Sequence, residues 1–206
     1  MFQCRGFTLR SLALFLPLTV AFVACDSTST TYPAPDEVFA GINPVAEDGS
    51  CVVEDGTFDD NVALPVNASC TFTNVIIQGN LKMNRGSLLA AEAIDVDGNL
   101  QAQQAAGLTL TESEIHGDIQ FEDGGFVEIQ AVYIDGNLQL DANRESLTAR
   151  ENVIKGNLQV FQNQGGAFLF SDNTIDGNLQ CKENAPAPEG SGNVVEGNRE
   201  DQCEGF

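Results

Sequence analysis

The chain is poor in positive charge: 9 Lys and Arg stand against 30 Asp and Glu, a formal charge of −21 over 206 residues. Nucleic-acid backbones are held by clustered Lys and Arg that release counterions, so this composition argues against a nucleic-acid partner. The acidity instead suits solvation of an exported protein. Histidine is nearly absent, with His116 alone, and there is no Trp. One imidazole cannot supply the ligands of a structural zinc centre, and no Gly-x-Ser-x-Gly nucleophile elbow occurs. Asp95-Val96-Asp97-Gly98 has the opening of a calcium loop without the distal acid that such a loop requires. No catalytic residue, metal site or cofactor is expected. Also missing is the spacing of apolar residues three and four apart that a helical repeat needs.

The N-terminus carries Arg5 and Arg10 without an acid, followed by the apolar run SLALFLPLTVAFVA. That run is short for a membrane span and ends in small residues, as a cleaved signal does. Phe22-Val23-Ala24-Cys25 resembles the lipobox of bacterial lipoproteins, in which the Cys becomes the lipidated N-terminal residue. It departs at Phe22, where Leu is usual, and cleavage after Thr19-Val20-Ala21 is the alternative. The stretch DSTSTTYPAPDE, residues 26–37, cannot pack a core and suits a tether. The expected organisation is a signal peptide over 1–24, a lipidated Cys25 with tether and N-terminal cap over 25–50, and one folded domain over 51–206. The expected address is the cell envelope, membrane-anchored through lipid, or secretion if ordinary cleavage prevails. Removing residues 1–24 takes two of the 9 basic residues and none of the 30 acidic ones, leaving 7 against 30, a charge of −23.

The folded region is a repeat. VDGNLQA, IHGDIQF, IDGNLQL, IKGNLQV and IDGNLQC recur along it, and the motif glycines fall at Gly79, Gly98, Gly117, Gly136, Gly156, Gly177 and Gly197, at steps of 19, 19, 19, 20, 21 and 20 residues. Such a period marks a solenoid with one coil per repeat. Ile or Val stands two residues before each Gly; Leu81, Leu100, Ile119, Leu138, Leu158 and Leu179 stand two after it, and Met83, Ala102, Phe121, Leu140, Val160 and Cys181 four after it. Apolar residues two apart mean a strand with one buried face. A second apolar cluster follows about ten residues later (Leu88-Leu89, Leu108 with Leu110, Val127 with Ile129, Leu147, Phe168 with Phe170), and Val75, Ile94 and Val132 open the next strand. The pattern predicts an all-β, single-stranded parallel β-helix of about seven coils of 19–21 residues, right-handed by the usual preference, and on the order of 35 Å long at about 4.8 Å per coil. The glycine is expected to permit a tight corner or an unusual backbone angle.

Repeats of the form V/I-x-G-N-L-Q, with the C-terminal NLQCKENAPAPEGSGNVVEGNREDQC, resemble exported bacterial right-handed parallel β-helix repeat proteins over roughly residues 51–206. The resemblance implies a fold and no established activity. A more distant likeness, in coil length only, is to bactofilins, which form polymers.

Cys51 and Cys70 are 19 residues apart, one coil, and Cys181 and Cys203 flank the last; disulfides 51–70 and 181–203 would pin the two ends. Arg199 takes the place of the inward Leu in the final copy, which predicts that the core stops there. Outward positions form amide columns: Asn80, Asn99, Asp118, Asn137, Asn157, Asn178 and Asn198 after the Gly, and Gln101, Gln120, Gln139, Gln159 and Gln180, with Lys82 and Glu200 at the ends, two residues further on. Stacked amides can bond along the rod or present a flat face to a polysaccharide. For that ligand the candidate residues are Asn99, Gln101, Gln120, Asn137, Gln139, Asn157, Gln159, Asn178 and Gln180. Before the Gly, His116 is expected between Asp97 and Asp135, which would raise its pKa. The β-helix also occurs in carbohydrate-active enzymes, but their sites need grooves walled by long loops, and these coils are nearly uniform. The expected function is a non-catalytic structural or interaction rod of the envelope. A polysaccharide-binding module is the alternative, with other envelope proteins as further partners and the oligomeric state open.

Overall fold

A computed structural model describes residues 49–206. Cys25, the lipobox-like stretch and the tether lie outside the described residues. Within them the chain is all β and winds into a parallel solenoid of about eight turns. Each turn contributes one strand to each of three eight-stranded parallel sheets, which form three walls around one core.

One turn shows the construction. In the first wall Leu88–Glu92 alternates buried and exposed residues; the second wall receives only the two-residue strand Asp95–Val96; Leu100–Gln103 lies in the third. The column two before the glycine fills the second wall from inside (Ile77, Val96, Ile115, Ile134, Ile154, Ile175), and the columns two and four after it fill the third. The first wall buries Phe72, Leu108, Leu110, Phe168 and Phe170. Coils stack in the expected register, with Ile119 on Leu138 and Leu138 on Leu158.

Three details differ from expectation. The turn count is about eight because a further coil, carrying Ser50–Glu54, Thr57–Phe58 and Val62–Leu64, precedes the first motif glycine. Its Phe58 and Val62 pair with Ile77 and Leu81, so Asp60 occupies the place of Gly79. The motif glycines do not take left-handed backbone angles; they are needed for close approach. A Cβ on Gly156 would lie 2.6 Å from the Asn137 side-chain oxygen and 2.6 Å from the Gly136 carbonyl, and Gly177 repeats this against Asn157 and Gly156. The first coil has no coil stacked before it among the described residues, so Asp60 meets no such obstacle. Finally, Val75, Ile94 and Val132 sit in the corner between the first and second walls, buried but outside the strands.

The left-handed conformation falls elsewhere, on non-glycine residues of the other two corners: Asn74, Ala93, Glu112, Ala131, Glu151 and Asp172 at one, and Gln104, Asp123, Ala142, Gln162 and Glu183 at the other. This conformation is costly for ordinary residues and persists where the surroundings over-determine it. Here the N–H of every one of these corner residues but Glu183 donates to a carbonyl of the next coil, as Ala93 does to Thr111, Ala131 to Arg150, Ala142 to Phe161 and Gln162 to Lys182.

Both expected disulfides form, Cys51–Cys70 across the first two coils and Cys181–Cys203 at the far end. Arg199 is exposed and donates to the Asn193 carbonyl; past it, residues 202–206 turn back so that Cys203 is buried and Phe206 packs against the core.

Candidate functional site

Two outward surfaces carry chemistry. On the third wall, Lys82, Gln101, Gln120, Gln139, Gln159, Gln180 and Glu200 stack in one column. The amide of Gln101 donates to Gln120 at 3.3 Å and Gln120 to Gln139 at 3.1 Å; Gln159 donates to Gln180 at 2.9 Å and Gln180 to Glu200 at 2.8 Å. The ladder therefore runs as two segments that meet between Gln139 and Gln159. Near its N-terminal end a half-open groove is lined by Val66, Lys82, Arg85, Gln103 and Gln104 together with Gln101 and Gln120.

The asparagine column behaves differently. The Asn80 side-chain oxygen accepts from the Asn99 backbone N–H at 2.9 Å, Asn99 from Asp118 at 2.8 Å, Asn137 from Asn157 at 2.8 Å, and Asn157 from Asn178 at 2.8 Å. These are side-chain-to-backbone bonds that close the corner where the glycines approach, so the oxygens of Asn99, Asn137, Asn157 and Asn178 already serve the scaffold.

Two further asparagine ladders lie inside the solenoid. Asn143, Asn163 and Asn184 occupy one corner; Asn152, Asn173 and Asn193 occupy another, all buried. In each column the side-chain oxygen accepts the backbone N–H of the preceding coil, as Asn163 does for Asn143 at 2.8 Å and Asn173 for Asn152 at 3.1 Å. The amide nitrogen donates to a buried carbonyl, as Asn163 does to Leu140 and Asn173 to Ala149, both at 2.9 Å. Every ladder member thus satisfies backbone groups that a turning chain would leave unpaired, which is what interior amides must do to be tolerated. The sequence carried a signal for them: Asn143, Asn163 and Asn184 each stand five residues after the inward Leu of the motif, and Asn152, Asn173 and Asn193 two before its inward Ile or Val.

The second surface is on the second wall. His116 Nδ1 lies 3.2 Å from Asp135 Oδ2, and Nε2 lies 3.3 Å from Asp95 Oδ1 and 3.8 Å from Glu114 Oε1. The Tyr133 hydroxyl donates to the other Asp135 oxygen at 2.9 Å. The His116 pKa is raised, first by its hydrogen bond to Asp135, against partial desolvation, with Asp95 and Glu114 adding to it. The expected bracketing by Asp97 and Asp135 is corrected to Asp135 and Asp95, because Asp95, on its strand, and His116, just past the end of the neighbouring one, project toward one another. Asp135 is lowered, first by the Tyr133 hydroxyl and then by His116. One coil on, Lys155 pairs with Asp176, which raises the lysine. A shallow depression beside this cluster is lined by Asp95, Glu112, Ser113, Glu114 and Tyr133.

Compared with known proteins, the chain matches no family model, no curated protein and no solved structure. What defines its class is the geometry: a β-solenoid closed by disulfides and built on asparagine ladders.

Proposed function

We propose that the protein is a non-catalytic rod of the cell envelope, anchored through lipid on Cys25, whose role is structural or adhesive. The observation that carries this is the uniformity of the described coils. All variation in coil length falls in one corner, between the third wall and the first, and amounts to one or two residues per turn. Corners so short raise no deep walled cleft of the kind that encloses a substrate. Two disulfides are compatible with an oxidising compartment. Metabolic labelling with a fatty-acid analogue tests the anchor: label on the wild type and none on Cys25→Ala supports it, and equal label on both sinks it. Sedimentation of the chain tests self-association, which a strict monomer excludes.

A second reading, polysaccharide binding on the third wall, is favoured by the groove at Lys82 and Arg85. Among the described residues neither cation is ion-paired, whereas Arg150, Lys155 and Lys182 each face a carboxylate, and the neighbouring glutamines offer amides at the coil spacing. Because the asparagine oxygens serve the backbone, Gln101, Gln120, Gln139, Gln159 and Gln180 carry this reading. Replacing Gln120, Gln139 and Gln159 together with Lys should abolish retention on immobilised envelope glycan; unchanged retention returns the rod to a purely structural role.

A further inference from the structure

The second wall sets the chain's one imidazole within a cluster of acids. Three successive coils each present two outward side chains there, Asp95 with Asp97, Glu114 with His116, and Tyr133 with Asp135, and the register sets Asp95 beside Glu114 and Glu114 beside Tyr133. On either side of this block the same outward column turns apolar or neutral, at Ile76 below it and at Val153 and Thr174 above it. Beyond the block the column before the motif glycine continues with the Lys155–Asp176 pair, so what sets the three turns apart is the chain's one imidazole among carboxylates on both columns.

Within the block, Asp95, Asp97 and His116 each offer a ligand atom, and the three atoms lie within 4.8 Å of one another. Asp95 Oδ1 has no solvent contact and no hydrogen bond, although the carboxylate as a whole is 46% exposed. Asp95 Oδ1 faces His116 Nε2 at 3.3 Å, a pair held together by the imidazolium proton, and a divalent cation placed between the two in place of that proton would be ligated by both. On its far side the imidazole is already held: Nδ1 faces Asp135, which Tyr133 fixes in turn. Carboxylate support on one ring nitrogen is the arrangement that orients a metal-ligating histidine through the other.

We propose that Asp95, Asp97 and Nε2 of His116 form a binding site for a divalent transition-metal cation of the zinc class, with Asp135 and Tyr133 as positioning residues. Nitrogen among the ligands favours zinc-class ions over calcium and magnesium, which take oxygen. Donors bonded to one zinc ion at about 2.0–2.2 Å are at most about 4.4 Å apart, so the present spacing closes around an ion by small side-chain rotations. Water would complete the shell, since the block faces solvent, and the protein's negative field concentrates cations at its surface.

The test is a titration of the full chain, first stripped with chelator, using ZnCl₂ alone. It is followed by the ring resonances of the single histidine, which report this site and no other. Saturable shifts at one zinc per chain are expected. His116→Ala removes the resonance itself, so calorimetry reads that variant and should show at least a hundredfold weaker binding, as should Asp97→Asn. Asp135→Asn should weaken binding about tenfold while the ring shift on saturation persists, which separates positioning from ligation. All three positions are at the surface, and an unchanged circular dichroism spectrum confirms that the variants fold. Ring resonances unmoved by millimolar zinc, zinc affinity unchanged in Asp97→Asn, or calcium binding as tightly as zinc would overturn the proposal.

Discussion

The N-terminal and C-terminal coils share their walls and differ at their corners. Between the first and second walls the interior corner position holds Val75, Ile94, Ser113 and Val132 in the earlier coils, then Asn152, Asn173 and Asn193 in the later ones. Between the third wall and the first it holds Ala105 and Gly124, then Asn143, Asn163 and Asn184. Early coils close chiefly on apolar contact, with isolated polar steps: the Ser113 hydroxyl accepts the Ile94 N–H at 3.1 Å, the buried Ser87 hydroxyl donates to the Asn84 carbonyl, and the Asn84 amide donates to the Leu64 carbonyl. Later coils close on amide ladders. The change coincides with coil length: the 19-residue coils hold apolar residues and isolated polar ones at these corners, and the coils of 20 or 21 residues carry the continuous asparagine columns. At both corners an interior amide supplies a donor and an acceptor to the backbone at each turn, although only the corner between the third wall and the first is lengthened. The third corner, with its glycines and Asn80-to-Asn198 column, is the same in both halves.

The largest effect should come from breaking a ladder in its middle. Asn173→Val leaves the Asn152 N–H and the Ala149 carbonyl without their partners, at about 1–3 kcal/mol for each buried group, so urea unfolding should show a loss of about 3–5 kcal/mol. The converse change sharpens the contrast. Val132→Asn places an amide in line with Asn152, whose oxygen already accepts the Val132 N–H at 2.9 Å; it extends the ladder by one rung and should cost about 1 kcal/mol, chiefly lost apolar burial. Equal costs for the two changes would mean that the corners are interchangeable.

Next come the ends. Opening Cys51–Cys70 or Cys181–Cys203 with paired Ser substitutions should each cost about 2–4 kcal/mol, because the closed segments, with sequence separations of 19 and 22, differ too little in length for chain entropy to distinguish them. A much larger loss at the C-terminal end would show that Cys203 also holds Phe206 over the core. Smaller again, and equal in both halves, should be Gly98→Ala and Gly177→Ala, about 2 kcal/mol each from forced displacement of the neighbouring coil, while Asp60→Gly should be close to neutral. Differential scanning calorimetry of the three variants compares them directly.

The walls were legible in the sequence because their apolar residues alternate at fixed offsets from the motif glycine, and because a two-residue strand such as Asp95–Val96 needs only one inward side chain per coil. The additional first coil was not, since Asp60 replaces the residue by which the copies are aligned, and it can do so only where no coil stands before it. The interior asparagines escaped notice because they flank polar corners and occur in three coils of the eight, too few to stand out from loop composition; read at their constant offset from the inward Leu and Ile, they form columns as regular as the core. Left-handed Ala, Glu and Gln residues leave no mark at all, since their conformation is imposed by hydrogen bonds from the next coil. For the candidate site, the His116 column was legible and its partner was not: the strand register sets Asp95 beside Glu114, and only the side-chain geometry reveals the diagonal contact with His116.

The smallest predicted effect falls at the seam between the two halves. Asp141 stands on the third wall beside Phe161 of the first longer coil, and its Oδ1 is buried without a hydrogen bond. Its pKa is raised, first by this desolvation, with the Ala142 N–H opposing and the Asp123 charge assisting. A carboxyl whose folded pKa lies above its unfolded value favours folding when protonated, and that advantage is lost as pH rises through the folded pKa. At neutral pH the ionised Asp141 is therefore a cost that Asp141→Asn removes. The variant should melt higher than the parent at pH 7 by a few degrees at most, and the gain should fade as pH drops through the carboxylate range, vanishing below about pH 4. A gain independent of pH would assign the effect to packing against Phe161, and a loss at pH 7 would show that the seam is held by the charge.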